Sequence, residues 1–259
     1  MSDIEDSVFV PDHERASVRP SPNFGPRQDG KRVSILILHY TGMETGEAAE
    51  ALLESPESEV SAHYVVHEDG RIVQMVPERE RAWHAGKSFW HGETDINSCS
   101  IGIEIVNQGP RGDFPEFPDA QIKAVIALSR DICTRHSIRP ERVLAHSDIA
   151  PSRKIDPGEK FPWERLHHAG IGHWVKPSPI RGGRFLVLGD RGQPVEALQS
   201  MLALYGYEVP INGVFEMKTE AAVKGFQRHF RSHKVDGVAD ISTIETLHRL
   251  LSGFSVVSS

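Results

Sequence analysis

The chain has 259 residues, 39% hydrophobic and 25% charged, with a formal net charge of −7. That length holds one medium domain and a small one, and the acidic balance argues against nucleic acid or an anionic membrane as partner, since both select basic faces. Only two cysteines, Cys99 and Cys133, are present, which excludes a disulfide scaffold and predicts two buried thiols. No apolar run approaches the roughly 18–20 residues of a membrane span.

Residues 1–30 are polar and proline-rich and read as a loosely ordered arm. They begin with acidic residues and hold no apolar core, so they do not read as a signal peptide. The expected compartment is the cytoplasm. A chain whose leader had been removed would read the same, which leaves the periplasm or cell envelope as the alternative.

VSILILHYT (33–41) is an unbroken, β-branched apolar run and predicts a buried strand. Helix formers follow in TGEAAEALLE (45–54). AHYVVHEDGRIVQMVPE (62–78) predicts a hairpin turning at Asp69-Gly70. CSIGIEIV (99–106) predicts a second buried strand. In 118–137 the spacing of Ile122, Val125, Ile126 and Ile132 predicts a helix starting at Pro118-Asp119. VLAH (143–146) predicts a third strand, running into the Pro-punctuated loop AHSDIAPSRKIDPG (145–158), and FPWERLHHAG (161–170) a closing helix. VKPSPIRGGR (175–184) reads as a linker. Beyond it, PVEALQSMLALYGY, MKTEAAVKGFQRHF and ISTIETLHRLL predict a three-helix unit over 185–255. The expected architecture is therefore α/β over 31–174, a mixed central sheet flanked by helices, followed by a small all-α domain.

His39 and His146 each end a predicted strand, where α/β proteins tend to place active residues. Taken singly, either has a structural reading. With Asp156, ten residues after His146 in a restrained loop, they make a three-ligand zinc set with a fourth position left for water. Zinc acidifies that water and yields a nucleophile at neutral pH. Glu104 lies within an otherwise apolar strand, where a carboxylate is costly unless paired or functional. Its functional reading is a general acid/base. Lys154, two residues before Asp156, is the candidate to stabilise an oxyanion. The histidine-rich HHAGIGHW (167–174) does not complement this set and reads as structural.

LHYT at His39, AWHAG at His84, NSCSIGIEIVN around Glu104 and AHSDIAPSRKIDPG together resemble the zinc-dependent type 2 N-acetylmuramoyl-L-alanine amidases, whose fold the peptidoglycan recognition proteins share. The resemblance spans roughly residues 33–170. It implies His39, His146 and Asp156 as zinc ligands, Glu104 as catalytic acid/base and Lys154 as transition-state stabiliser. The implied reaction is hydrolysis of the amide between the lactyl group of N-acetylmuramic acid and L-alanine. Trp83, His84 and Asn97 fall where that family lines its substrate groove. The last 70 or so residues resemble a three-helix peptidoglycan-binding domain, with Asn212 and Glu216 departing from the Asp and Gly of its turn. Peptidoglycan or its muropeptide fragments are thus the expected partners, and a monomer is the expected state.

Two rival readings fit the sequence less well. A zinc D-Ala-D-Ala peptidase would resemble a His and an Asp seven apart with a later Glu-x-x-His. Glu164 and His167 have that second spacing, but no suitable His–Asp pair precedes them. A non-catalytic recognition protein would typically lack a zinc ligand, whereas all three are present.

Overall fold

The structure is a computed structural model and describes residues 9–112 and 114–254. The first eight residues of the expected arm and the last residue of the expected helical unit lie outside the described residues. Compactness divides the chain into two units, 1–86 with 97–139, and 87–96 with 140–259.

In the first unit the sheet is mixed. Its strands are β1 (Ala16–Val18), β3 (Ile35–Tyr40), β4 (Tyr64–Val66), β5 (Ile72–Gln74) and β7 (Ser100–Ile105), and they run in the order β1-β5-β4-β7-β3. β3 and β4 both pair parallel to β7, while β4 and β5 form the antiparallel hairpin. Parallel strands are covered on both faces, which is why β3 and β7 read as continuous apolar runs. Gly70 makes the hairpin turn with φ +90°, a conformation that glycine adopts without steric cost. A short antiparallel ribbon joins β2 (Phe24–Gly25) to β6 (Arg81–Ala82).

Helix α1 (Gly46–Glu54) is N-capped by Thr45, whose hydroxyl accepts from the Ala48 N–H at 3.1 Å. A short α2 (Ile96–Cys99) leads into β7. The long α3 (Asp119–His136) starts where Pro118-Asp119 predicts, and Gln121 on its buried face donates to the Val66 and Val106 carbonyls. Cys99 is buried and Cys133 half-buried, both as free thiols, and burial pushes the Cys133 thiol up to about 11.

The arm departs from expectation. From residue 9 onward it is built into the unit: β1 pairs parallel with β5. Asn23 donates to the carbonyls of Ser55 and Val60, and the Arg27 guanidinium to those of Glu78, Ser98 and Ser100. The segment is fixed by side-chain hydrogen bonds to backbone carbonyls, so it carries no apolar periodicity that would announce its order.

By compactness the second unit begins at Pro140, ahead of the expected linker at 175–184, and takes in 87–96 as well. The unit contains β8 (Val143–Ala145), α4 (His146–Ile149), α5 (Trp163–His168), α6 (Gln193–Tyr205), α7 (Met217–Phe230) and α8 (Ile241–Phe254). The three C-terminal helices fall where their periodicity places them. The expected linker is held down: Ser178 donates its N–H to Thr246 and accepts from the Ser242 hydroxyl.

The helical unit carries an internal repeat that sequence reading missed. Gln199 donates to Asn212 Oδ1, the Val214 carbonyl and Thr219 Oγ1, and accepts from the N–H groups of Asn212 and Gly213. Gln227 makes the same five bonds with Asp236, Val238, Thr243 and the N–H groups of Asp236 and Gly237. Asn212 thus does in one loop what Asp236 does in the other, since an amide oxygen accepts the same bonds as a carboxylate.

Candidate active site

His39 and Glu104 are register partners in the parallel β3–β7 pair. Residues paired in this way project to the same face of the sheet. Glu104 is half-buried between apolar neighbours, as the alternation of Ile101, Ile103 and Ile105 onto the other face requires.

On Glu104's side of β7, Gly102 lies two residues earlier. A Cβ there would stand 2.5 Å from the His84 ring, closer than any real contact, so the missing side chain makes room for the imidazole. His84 Nδ1 lies 3.0 Å from His39 Nε2, and His84 Nε2 lies 3.1 Å from Ser100 Oγ. The two rings meet edge to face at 5.1 Å. His84 is buried and fixes the orientation of the His39 ring, the role of an outer partner to a metal-ligating histidine.

Asn97 has a positioning role too. Its Oδ1 accepts from the N–H groups of His84 and Ala85 at 3.1 and 2.8 Å and so fixes the turn that delivers His84. Trp83, half-buried, donates its backbone N–H to Ser61 Oγ. Of the three expected groove residues, His84 and Asn97 are engaged in building the site.

His63 adds a further buried ring. Its Nδ1 accepts from the Gly102 N–H, and its Nε2 lies 3.1 Å from the Glu80 carbonyl. A ring that must accept at one nitrogen stays neutral. Burial, then the Arg27 charge, pushes its pKa down to about 3.

In the second unit β8 stops at Ala145 and His146 opens α4, a single turn, where the sequence suggests the end of a strand running into plain loop. Its Nδ1 lies 3.0 Å from Asp156 Oδ2. The Ser147 N–H donates to the Asp156 carbonyl at 3.0 Å, which ties the two ligand segments together. Lys154 is half-exposed, and its backbone N–H closes a turn onto Ala150. In the histidine-rich segment, His173 Nδ1 lies 3.1 Å from the Tyr205 hydroxyl and its ring stacks on Tyr205. Burial pushes its pKa down to about 4. It is a packing residue, as the sequence suggests.

His39, His146 and Asp156 are all buried and offer ligand atoms that lie within 4.8 Å of one another. Two imidazoles and a carboxylate are a borderline-soft donor set suited to zinc. Tetrahedral zinc with bonds of about 2 Å spaces its donor atoms by roughly 3.3 Å, and the 3.0 Å His146–Asp156 separation fits that spacing. The residues present can therefore hold a metal ion.

The sequence matches the N-acetylmuramoyl-L-alanine amidase family over residues 29–159 and a peptidoglycan-binding domain over 191–247. It is 39% identical over 237 residues to the N-acetylmuramoyl-L-alanine amidase AmiD of Escherichia coli, covering 86% of this chain and 84% of that protein. The structure of E. coli AmiD in complex with anhydro-N-acetylmuramic acid-L-Ala-D-γ-Glu-L-Lys superposes with a TM-score of 0.73 at 37% identity, covering 91% of this chain and 93% of that one. AmpDh3 of Pseudomonas aeruginosa in complex with an anhydromuramic pentapeptide gives 0.70 at 30% identity, covering 98% and 99%. With a catalytic-domain match over half its length and a relative alike across nearly the whole chain, the protein belongs to the N-acetylmuramoyl-L-alanine amidase family.

Proposed function

We propose that this protein is a zinc amidase that cleaves the bond between the lactyl carbonyl of N-acetylmuramic acid and the L-alanine nitrogen of muropeptides, with soluble anhydro-muropeptides as its substrates. The observation that carries the reading is the buried group of His39, His146 and Asp156, with Glu104 in register beside His39. The ligands in the AmiD and AmpDh3 complexes, both anhydromuramyl peptides, support the substrate class.

When bound, zinc supplies Lewis-acid polarisation and an acidified water. His39, His146 and Asp156 hold it, and His84 keeps the His39 ring turned toward its task. Glu104 takes the proton of the attacking water as general base. Lys154 places its ammonium against the negative charge that develops on the carbonyl oxygen. Glu104 then hands that proton to the departing L-alanine nitrogen, so that the amine leaves neutral, and the second proton of the water stays on the new lactyl carboxyl group until solvent takes it.

The test compares initial rates on a purified anhydro-muramyl tripeptide with those on intact sacculi, each resolved chromatographically. Fast release of tripeptide from the soluble fragment supports the substrate assignment. Turnover of sacculi alone would reassign the enzyme to the polymer.

A further inference from the structure

The sequence reads the C-terminal helices as a separate module, yet one of their hydrogen-bond networks ends two residues from a metal ligand. We propose that Tyr207 and His229 are positioning residues for the His146–Asp156 loop and act on it through Asp148. The inference rests on the zinc reading of that loop.

Asp148 follows His146 by two residues and is 0% exposed. A buried carboxylate is stable only when its oxygens are well supplied with donors. Asp148 has three. Its Oδ2 accepts from the Ala145 N–H at 2.8 Å and from His229 Nδ1 at 2.7 Å, and its Oδ1 accepts from the Tyr207 hydroxyl at 2.6 Å. The first of these bonds closes the α4 turn around His146, because it joins the residue before the ligand to the residue two beyond it. The other two come from the helical segment and fix the carboxylate against rotation.

Both outer donors are themselves rigid. The His229 ring stacks on Trp163 with centroids 3.7 Å apart and planes 25° from parallel. With a carboxylate as its partner, His229 Nδ1 carries the proton. The Tyr207 ring meets Trp90 edge to face at 5.0 Å. Burial first, then the Asp148 charge, holds the phenol protonated well above its ordinary range, so it remains a donor. The backbone of the turn is clamped as well: a Cβ at Gly225, one turn before His229 in α7, would stand 2.5 Å from the Ser147 carbonyl. The helices that the sequence presents as a wall-binding module therefore complete the support of a zinc ligand.

The test measures metal affinity by chelator competition, the visible spectrum of the cobalt-substituted protein, and kcat and KM, for Tyr207→Phe, His229→Ala and His229→Asn. Tyr207→Phe keeps the ring and loses only the donor. His229→Asn places an amide N–H where Nδ1 stood. The expected result is metal binding weakened roughly 10-fold in Tyr207→Phe and His229→Ala, as for other outer partners of metal ligands. A shifted cobalt spectrum, a similar fall in kcat, an unchanged KM and recovery in His229→Asn should accompany it. Leu247→Ala empties part of the same helical core without touching Asp148, and it should lower Tm while leaving metal affinity and spectrum as in the wild type. Wild-type metal affinity and spectrum in both Tyr207→Phe and His229→Ala would overturn the positioning role, and so would equal weakening in Leu247→Ala. A wild-type protein that takes up no cobalt would overturn the zinc reading and this inference with it.

Discussion

Gly225 sits in the interior of α7, where alanine is ordinarily the better residue by about 1 kcal/mol. Helix propensity alone therefore predicts that Gly225→Ala stabilises the protein. The packing predicts the reverse. The new Cβ would meet the Ser147 carbonyl oxygen at 2.5 Å and Pro151 Cβ at 3.0 Å. The carbonyl is backbone and has little freedom to yield. The Ser147 N–H is bonded to Asp156, and the adjoining Asp148 side chain is held by three donors. Overpacking of a rigid contact costs about 1–3 kcal/mol, and a backbone oxygen in a clamped turn belongs at the upper end. After the propensity gain is subtracted, the net effect is a destabilisation of about 1–2 kcal/mol, or a fall in Tm of about 3–6 °C. Differential scanning calorimetry of the zinc-loaded wild type and variant measures it directly. A Tm equal to or above the wild type would show that the α7–loop contact is looser than described, and the support proposed for His146 would lose its foundation.

Three further outcomes are expected. Glu104→Gln and Lys154→Met should each lower kcat by roughly 10²–10⁴-fold with zinc content unchanged by atomic absorption, because neither is a ligand; loss of metal in either would mean its role is misassigned. Asp156→Ala should instead lose zinc itself, and full occupancy in that variant would remove Asp156 from the ligand set. Acid stability should depend on Glu78. Burial raises its pKa, but His136, Arg135 and Tyr64 donate to it and prevail, which brings it down to about 2. A carboxylate depressed in the folded state contributes stability above its unfolded pKa near 4.5, and that contribution is lost as pH falls from there through about 2. Urea melts of Glu78→Gln should thus show a clear deficit at pH 7 that narrows toward pH 2, and a deficit independent of pH would contradict the assignment.

The proposed metal set is legible in the local pattern: two apolar runs with a histidine at or near the end, then an Asp in a loop bounded by prolines. Glu104 was legible as a charge inside an apolar strand. The arm was not, because Asn23 and Arg27 anchor it through bonds to carbonyls of residues far along the chain, and such pairings leave no periodic trace. His84 and Asn97 were located, but their work was not, since it depends on the vacancy at Gly102. The Asp148 network joins residues 59 and 81 positions apart, and nothing local foretells it. Its one sequence signal is Gly225, a glycine in the middle of an otherwise good helix, a placement that usually has a packing reason. The Gln199 and Gln227 repeat was open to reading in the paired NGV and DGV turns and was missed because the two spacings differ.

The proposed chemistry is hydrolysis of the lactyl–L-alanine amide with a metal held by His39, His146 and Asp156. Its most direct test is mass spectrometry of anhydro-N-acetylmuramoyl-L-Ala-γ-D-Glu-diaminopimelate after incubation with the protein, first with zinc, then with a chelator, then with zinc restored. The expected result is intact tripeptide and free anhydro-N-acetylmuramic acid in the first and third samples and unaltered substrate in the second. Untouched substrate with zinc present, or equal cleavage under chelator, would contradict it.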